Sequence, residues 1–171
     1  MKTRTLGLLI LAVVVVVAAV IVVTSRASSD ADSTGTSGSG ASATVYTGEV
    51  LAPADFSVAD FAGKPLVVNM FGSWCPPCNA EAPDLAVFAE QNPGVQVVGV
   101  ACEDTEDDAV GFMEKFGLTY QLVLDDGTLV QETGITAYPT TIFYNAQGQE
   151  VDRIVGAATL DGLNASLAMA Q

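Results

Sequence analysis

Cys75 and Cys78, in Trp74-Cys75-Pro76-Pro77-Cys78, are the residues whose type and spacing suit chemistry most directly. Two thiols three positions apart can close a disulfide and reopen it, provided one of them is available as a thiolate. A helix N-terminus makes it so, because unpaired backbone N–H groups and the helix dipole stabilise an anion there. A thiol in that place has a lowered pKa and is nucleophilic at neutral pH. The pair is therefore suited to reversible dithiol/disulfide exchange.

The flanking sequence supplies that position. Leu66-Val67-Val68-Asn69-Met70-Phe71 is a nearly continuous apolar run ending at Gly72, and it reads as a buried strand. Pro76 and Pro77 fit the first turn of a helix, where a missing N–H costs nothing. Cys75 is thus expected at the start of a helix running on through Asn79 to Gln91, with Leu85, Phe88 and Ala89 on its buried face. Asn92-Pro93-Gly94 stops it. Val95 to Ala101 is a second buried strand, as a parallel sheet requires. Thr105 caps a helix whose first turn is acidic and whose buried face is Val110, Met113 and Phe116; Gly117 ends it. Gln121 to Leu124 reads as a short strand and Thr128 to Glu132 as one helical turn. Thr140 to Tyr144 and Gln149 to Val155 form a hairpin around Asn145-Ala146-Gln147-Gly148, and Thr159 caps a closing helix through Met169. The order β-α-β-α-β-β-α, after a short N-terminal extension, gives a parallel core with an antiparallel edge.

Two segments precede this domain. Lys2 and Arg4 stand before an uncharged apolar stretch from Leu6 to Val23. As a helix it would span about 27 Å, close to the thickness of a hydrocarbon core. The basic residues keep the N-terminus cytoplasmic and send the rest across. Residues 1–24 are read as an uncleaved anchor. Its rival is a signal peptide cleaved at the small residues Ser25 and Ala27, and the length of the apolar stretch favours the anchor. Residues 25–44, almost entirely Ser, Thr, Gly, Ala and Asp, read as a flexible tether. The folded domain is expected over 45–171, on the extracytoplasmic side of a cell membrane.

Composition excludes several function classes. Of 171 residues, 20 are acidic and 6 basic, a formal charge of −14, and only Lys64, Lys115 and Arg153 are basic within the domain. Such a surface repels nucleic acid and anionic head groups. There is no histidine, which removes Cys-His and Ser-His catalysis and most zinc sites. The third and last cysteine, Cys102, falls at the C-terminal end of the second strand, the end that carries Cys75. It is either a resolving or regulatory thiol or a small buried hydrophobe. The acidic run Glu103 to Asp108 lacks a calcium-loop pattern and fits a helix start.

From about Phe56 to Ala168 the chain resembles the thioredoxin superfamily, specifically its membrane-anchored TlpA/ResA-like group with the cytochrome c maturation thioredoxins. Four pieces carry the resemblance: Gly63-Lys64-Pro65-Leu66-Val67-Val68-Asn69, Trp74-Cys75-Pro76-Pro77-Cys78, Glu81-Ala82-Pro83 and Tyr138-Pro139-Thr140-Thr141. The resemblance implies an α/β, thioredoxin-like fold: a central mixed sheet flanked by helices, behind an N-terminal transmembrane helix. It implies that Cys75 attacks, that Cys78 resolves, and that Glu81, one turn beyond Cys78, handles a proton. A solvated surface glutamate is the alternative for Glu81. Asn69 stands where ordinary thioredoxins carry a buried aspartate. Pro139 matches the superfamily's cis-proline. It would present the Tyr138 backbone to an extended substrate and exclude metal. Trp74 either packs over the dithiol or fills core.

Together these imply an extracytoplasmic thiol-disulfide oxidoreductase that reduces disulfides of client proteins such as apo-cytochrome c. A membrane electron donor would reset it, and no organic cofactor is required. The alternatives are a disulfide oxidase for secreted proteins, a peroxidase, and a non-catalytic binding module. A peroxidase would need a single peroxidatic cysteine rather than a pair, and intact cysteines argue against the binding module.

Overall fold

The structure, a computed structural model, describes residues 46–171. The expected anchor and linker and Val45 lie outside the described residues. Among the described residues no helix is long and apolar enough to cross a membrane. The elements are β1 (Val50–Leu51), two 3-10 turns (Pro53–Asp55, Val58–Phe61), β2 (Leu66–Phe71), α1 (Pro76–Gln91), β3 (Gln96–Cys102), α2 (Glu106–Phe116), β4 (Gln121–Asp125), α3 (Thr128–Thr133), β5 (Thr140–Tyr144), β6 (Glu150–Val155) and α4 (Leu160–Ala170).

One six-stranded sheet runs in the order β1-β4-β3-β2-β5-β6. Its first four strands are parallel, and the β5–β6 hairpin joins β2 antiparallel. All of β2 is buried, as expected of a central strand covered on both faces. Val67 and Phe71 point to one face, where α1, α2 and α4 contribute Leu85, Phe88, Phe112, Met113, Leu163 and Leu167. Leu66, Val68 and Met70 point to the other, closed by Leu129 of α3 and by Phe56 and Phe61 of the N-terminal turns. Asn69 falls on the α1 face, level with Gly99 of β3 and Thr141 of β5.

The caps form as their sequences require. Thr105 accepts the Asp108 N–H at 3.2 Å, Thr159 accepts that of Gly162 at 3.2 Å, and Gly117 ends α2 in the left-handed region at φ 66°. Four details differ from expectation. Strand β3 runs one residue further and takes in Cys102. The buried face of α2 is Ala109, Phe112 and Met113, with Val110 and Phe116 half-buried, because Phe112 stacks on Phe71 at 4.6 Å between ring centroids. Ala89 of α1 is likewise half-buried. The two-residue β1, paired to β4, was not foreseen.

Candidate active site

Cys75 is the N-cap of α1, with Pro76 and Pro77 opening the helix behind it. The structure is in the disulfide form, Cys75 to Cys78, with the two Cα atoms 5.3 Å apart. The Cys75 sulfur accepts the Cys78 backbone N–H at 3.3 Å. An orphan N–H of the first turn thus points at the sulfur that would carry charge when reduced. Both sulfurs are sheltered: Cys75 is 3% exposed and Cys78 1%.

The loop from β2 into α1 is clasped from across the sheet. Asp104 accepts the Ser73 backbone N–H and the Ser73 hydroxyl, both at 2.7 Å. Asn79 donates to the carbonyls of Ser73 (2.9 Å) and Cys75 (3.0 Å), and Lys115 donates to the Asn79 side chain at 2.8 Å. Trp74 is 54% exposed, so it does not fill core. Its indole lies back over Gly72, where a Cβ would come within 2.6 Å of the ring. The indole N–H donates to the Glu103 carbonyl at 3.1 Å, and the ring meets Tyr138 edge-on at 5.9 Å. Glu103 is the one non-glycine among the described residues with positive φ, at 52°. A residue held in that sparsely populated region is backbone strain beside the site. The Tyr138-Pro139 bond is cis, as the resemblance implied.

Glu81 is not a solvated helix residue. It is 2% exposed, on the same face of α1 as Cys78. Its Oε1 accepts from the Asn69 side-chain amide at 2.8 Å, and its Oε2 accepts from the Ala158 backbone N–H at 2.8 Å. Asn69 also donates to the Thr141 hydroxyl at 3.0 Å. Burial pushes the Glu81 carboxyl above its ordinary range; the Ala158 and Asn69 donors oppose this by favouring the anion.

That shift has a stability consequence. Folding raises the proton affinity of Glu81, so its linked stability is complete below the ordinary value of 4.5. It is lost as pH rises through the raised folded value. Urea midpoints of the oxidised protein should therefore fall as pH rises above 4.5 and through the raised folded value, and Glu81→Gln should flatten that part of the curve. Equal slopes in the two proteins would contradict the assignment.

Cys102 shares the dithiol's end of the sheet but lies on the opposite face, packed with Met70, Val100 and Leu129. It is free and fully buried. Burial, with Asp125 nearby, pushes its thiol up to about 12, so it stays protonated at neutral pH. It behaves as a small hydrophobe. Among the described residues no group of three or more His, Cys, Asp or Glu side chains could hold a metal.

Asn69, Asp104 and the Ala158 N–H escaped the sequence reading as partners of the site. One signal was present: an asparagine inside an otherwise apolar strand is a buried polar group that must find partners.

Comparison with known proteins agrees with this arrangement. The family model described as Redoxin matches residues 37–167. The soluble secreted antigen MPT53 of Mycobacterium tuberculosis is 33% identical over 126 residues, covering 72% of this chain and 73% of its own. The thiol:disulfide interchange protein HelX of Rhodobacter capsulatus is 35% identical over 113 residues, covering 64% and 63%. The crystal structure of a secreted M. tuberculosis disulfide oxidoreductase homologous to E. coli DsbE superposes with a TM-score of 0.61 at 32% identity, over 66% of this chain and 87% of that one. With the fold, the dithiol and these matches in agreement, the chain belongs to the Redoxin family and is a thioredoxin-like thiol-disulfide oxidoreductase with Cys75 and Cys78 as its cysteine pair.

Proposed function

We propose that this protein reduces disulfides of client proteins, apo-cytochrome c among them, on the extracytoplasmic side of a cell membrane. The observation that carries the mechanism is the buried Glu81, held by Asn69 one turn beyond Cys78 beneath a cysteine at a helix N-cap. The Cys75 thiolate attacks a client disulfide and forms a mixed disulfide. Cys78 passes its proton to Glu81 and attacks Cys75, which releases the reduced client. Trp74, Tyr138 and Pro139, gathered beside the dithiol, form the platform on which an extended client segment lies. The reducing direction follows the resemblance to the anchored cytochrome-maturation group. A membrane electron donor returns the dithiol to its reduced state, and the dithiol itself is the redox centre.

The same proposal assigns residues 1–24 to a single membrane-spanning anchor, 25–44 to a tether and 45–171 to the catalytic domain. Lys2 and Arg4 ahead of the apolar stretch support that orientation. A redox titration of the protein tests the direction. A reduction potential more negative than about −200 mV is expected, and a value near about −120 mV would make the protein an oxidase.

A further inference from the structure

We propose that Asn79 is a positioning residue for the attacking thiol: its side-chain amide holds the turn that presents the Cys75 sulfur to the Cys78 N–H, and Lys115 holds the amide. This rests on the role of Cys75 given above. The turn is Gly72 to Cys75, closed by the Cys75 N–H on the Gly72 carbonyl at 3.0 Å. Asn79 stands one helical turn beyond Cys75. Its side-chain nitrogen donates to the Ser73 carbonyl at 2.9 Å and to the Cys75 carbonyl at 3.0 Å. An amide NH2 carries two hydrogens, and both are spent on these carbonyls, one on each side of Trp74. The Cys75 carbonyl also accepts the Asn79 backbone N–H at 3.1 Å. Two donors on one carbonyl fix the extended backbone of Cys75, at φ −87° and ψ 115°. That backbone sets where the sulfur sits relative to the Cys78 N–H, with 3.3 Å between sulfur and nitrogen.

Local propensity does not account for an asparagine here. Inside a helix alanine is the better former, because an asparagine side chain competes for backbone partners. Asn79 does compete, and it takes two carbonyls beside the nucleophile. Its orientation is fixed by chemistry. Lys115 donates to Asn79 Oδ1 at 2.8 Å, and an ammonium can only donate, so the oxygen faces α2 and the NH2 faces the turn. Lys115 is itself held, with its nitrogen 4.6 Å from the centroid of the Phe116 ring. Phe116 meets Phe112, which stacks on Phe71 at the end of β2. The contacts thus run unbroken from the core to the carbonyl of Cys75.

The charged groups around the turn come from three elements. Asp104, on the loop after β3, accepts the Ser73 N–H and hydroxyl, and Glu103 beside it accepts the Trp74 indole N–H on its carbonyl. Glu81 lies on α1, one turn beyond Cys78. All three disfavour a thiolate when ionised. Lys115 of α2 is the cation bonded to Asn79. The other bases of the domain lie elsewhere, Lys64 before β2 and Arg153 on β6, paired with Glu150. Tyr138 and Pro139, before β5, carry no charge at neutral pH. Among these acids the Cys75 thiolate depends on the Cys78 N–H and the helix start, and so on the turn that aims the sulfur at them. A cation on the Asn79 oxygen polarises the amide, so its N–H groups hold the two carbonyls more firmly.

The test is the pH dependence of iodoacetamide alkylation of the reduced full chain, with the label mapped to Cys75, for wild type, Asn79→Ala, Lys115→Met and the double variant. Melting temperatures are measured alongside to confirm folding. Asn79→Ala should move the Cys75 profile up by about half to one pH unit, which near neutral pH slows the reaction roughly three- to tenfold. At alkaline pH, where the thiolate is fully formed, its rate should equal that of wild type. Lys115→Met should shift the profile the same way by less, and the double variant should match Asn79→Ala. An unshifted profile for Asn79→Ala overturns the proposal and leaves Cys75 as the attacking thiol. A rate lowered equally at every pH, alkaline included, assigns Asn79 a merely structural role and overturns it too. Shifts that add in the double variant give Lys115 an effect of its own charge and overturn its action through Asn79. Lys115 is exposed, so Lys115→Met folds whatever Asn79→Ala does, and an unshifted profile for it also overturns the proposal. Label mainly on Cys78 in the wild type overturns the role of Cys75, and the proposal with it.

Discussion

Cys75→Ser should reduce disulfide exchange to background, a loss on the order of a thousandfold or more, the scale seen when a catalytic nucleophile is removed. Serine carries no ionised nucleophile at neutral pH, and the N-cap position that stabilises a thiolate has nothing to act on. Cys78→Ser should behave differently. On the proposed roles it keeps the attacking thiol and loses the resolving one, so it should accumulate client adducts through Cys75. Non-reducing gels with mass mapping of the adducts separate the two outcomes. The wild-type reduced protein should take limiting iodoacetamide on Cys75, whose sulfur faces the orphan N–H. Equal trapping by both variants would overturn the two-step assignment, and label mainly on Cys78 would reverse the roles of the two cysteines.

The second large effect is on stability. Phe71 is buried at the end of β2, stacks on Phe112, and sets the strand's last residue before the loop that carries Trp74 and Cys75. Phe71→Ala should cost about 3–5 kcal/mol, because the ring's contacts are lost and a rigid sheet cannot collapse into the void. Against a total stability of roughly 5–15 kcal/mol, that is a large fraction. Thermal unfolding should show a fall in Tm of roughly 10–20 °C. A change below about 1 kcal/mol would mean that the helices repack over the cavity.

How much of this was legible in the sequence depends on the distance over which each feature is set. The start of α1, the caps at Thr105 and Thr159, the stop at Gly117 and the β5–β6 hairpin follow local rules, and each formed where its residues stood. The face of α2 was misjudged because Val110, Phe112, Met113 and Phe116 are all apolar and cannot share one narrow stripe. The stacking partner on β2 decided among them. β1 was missed because two residues carry no periodicity. At the site, the cysteine pair was legible and its surroundings were not. Glu81 meets Asn69 twelve positions upstream and the Ala158 N–H 77 positions downstream, and Asp104 reaches back 31 positions to Ser73. Such meetings are products of strand order, which sequence spacing does not encode.

The two borders of the sheet carry a consequence of their own. An open sheet border is a template onto which an unfolded chain can add a strand and start cross-β growth. One border here, β1, offers two residues. The other, β6, carries Glu150, Asp152 and Arg153, with Glu150 paired to Arg153 at 2.8 Å. Both guanidinium ends of Arg153 donate to the Thr133 carbonyl at 3.1 Å. A short border and a charged one are poor templates for strand addition, so the sheet's edges resist cross-β growth with any unfolded chain they meet.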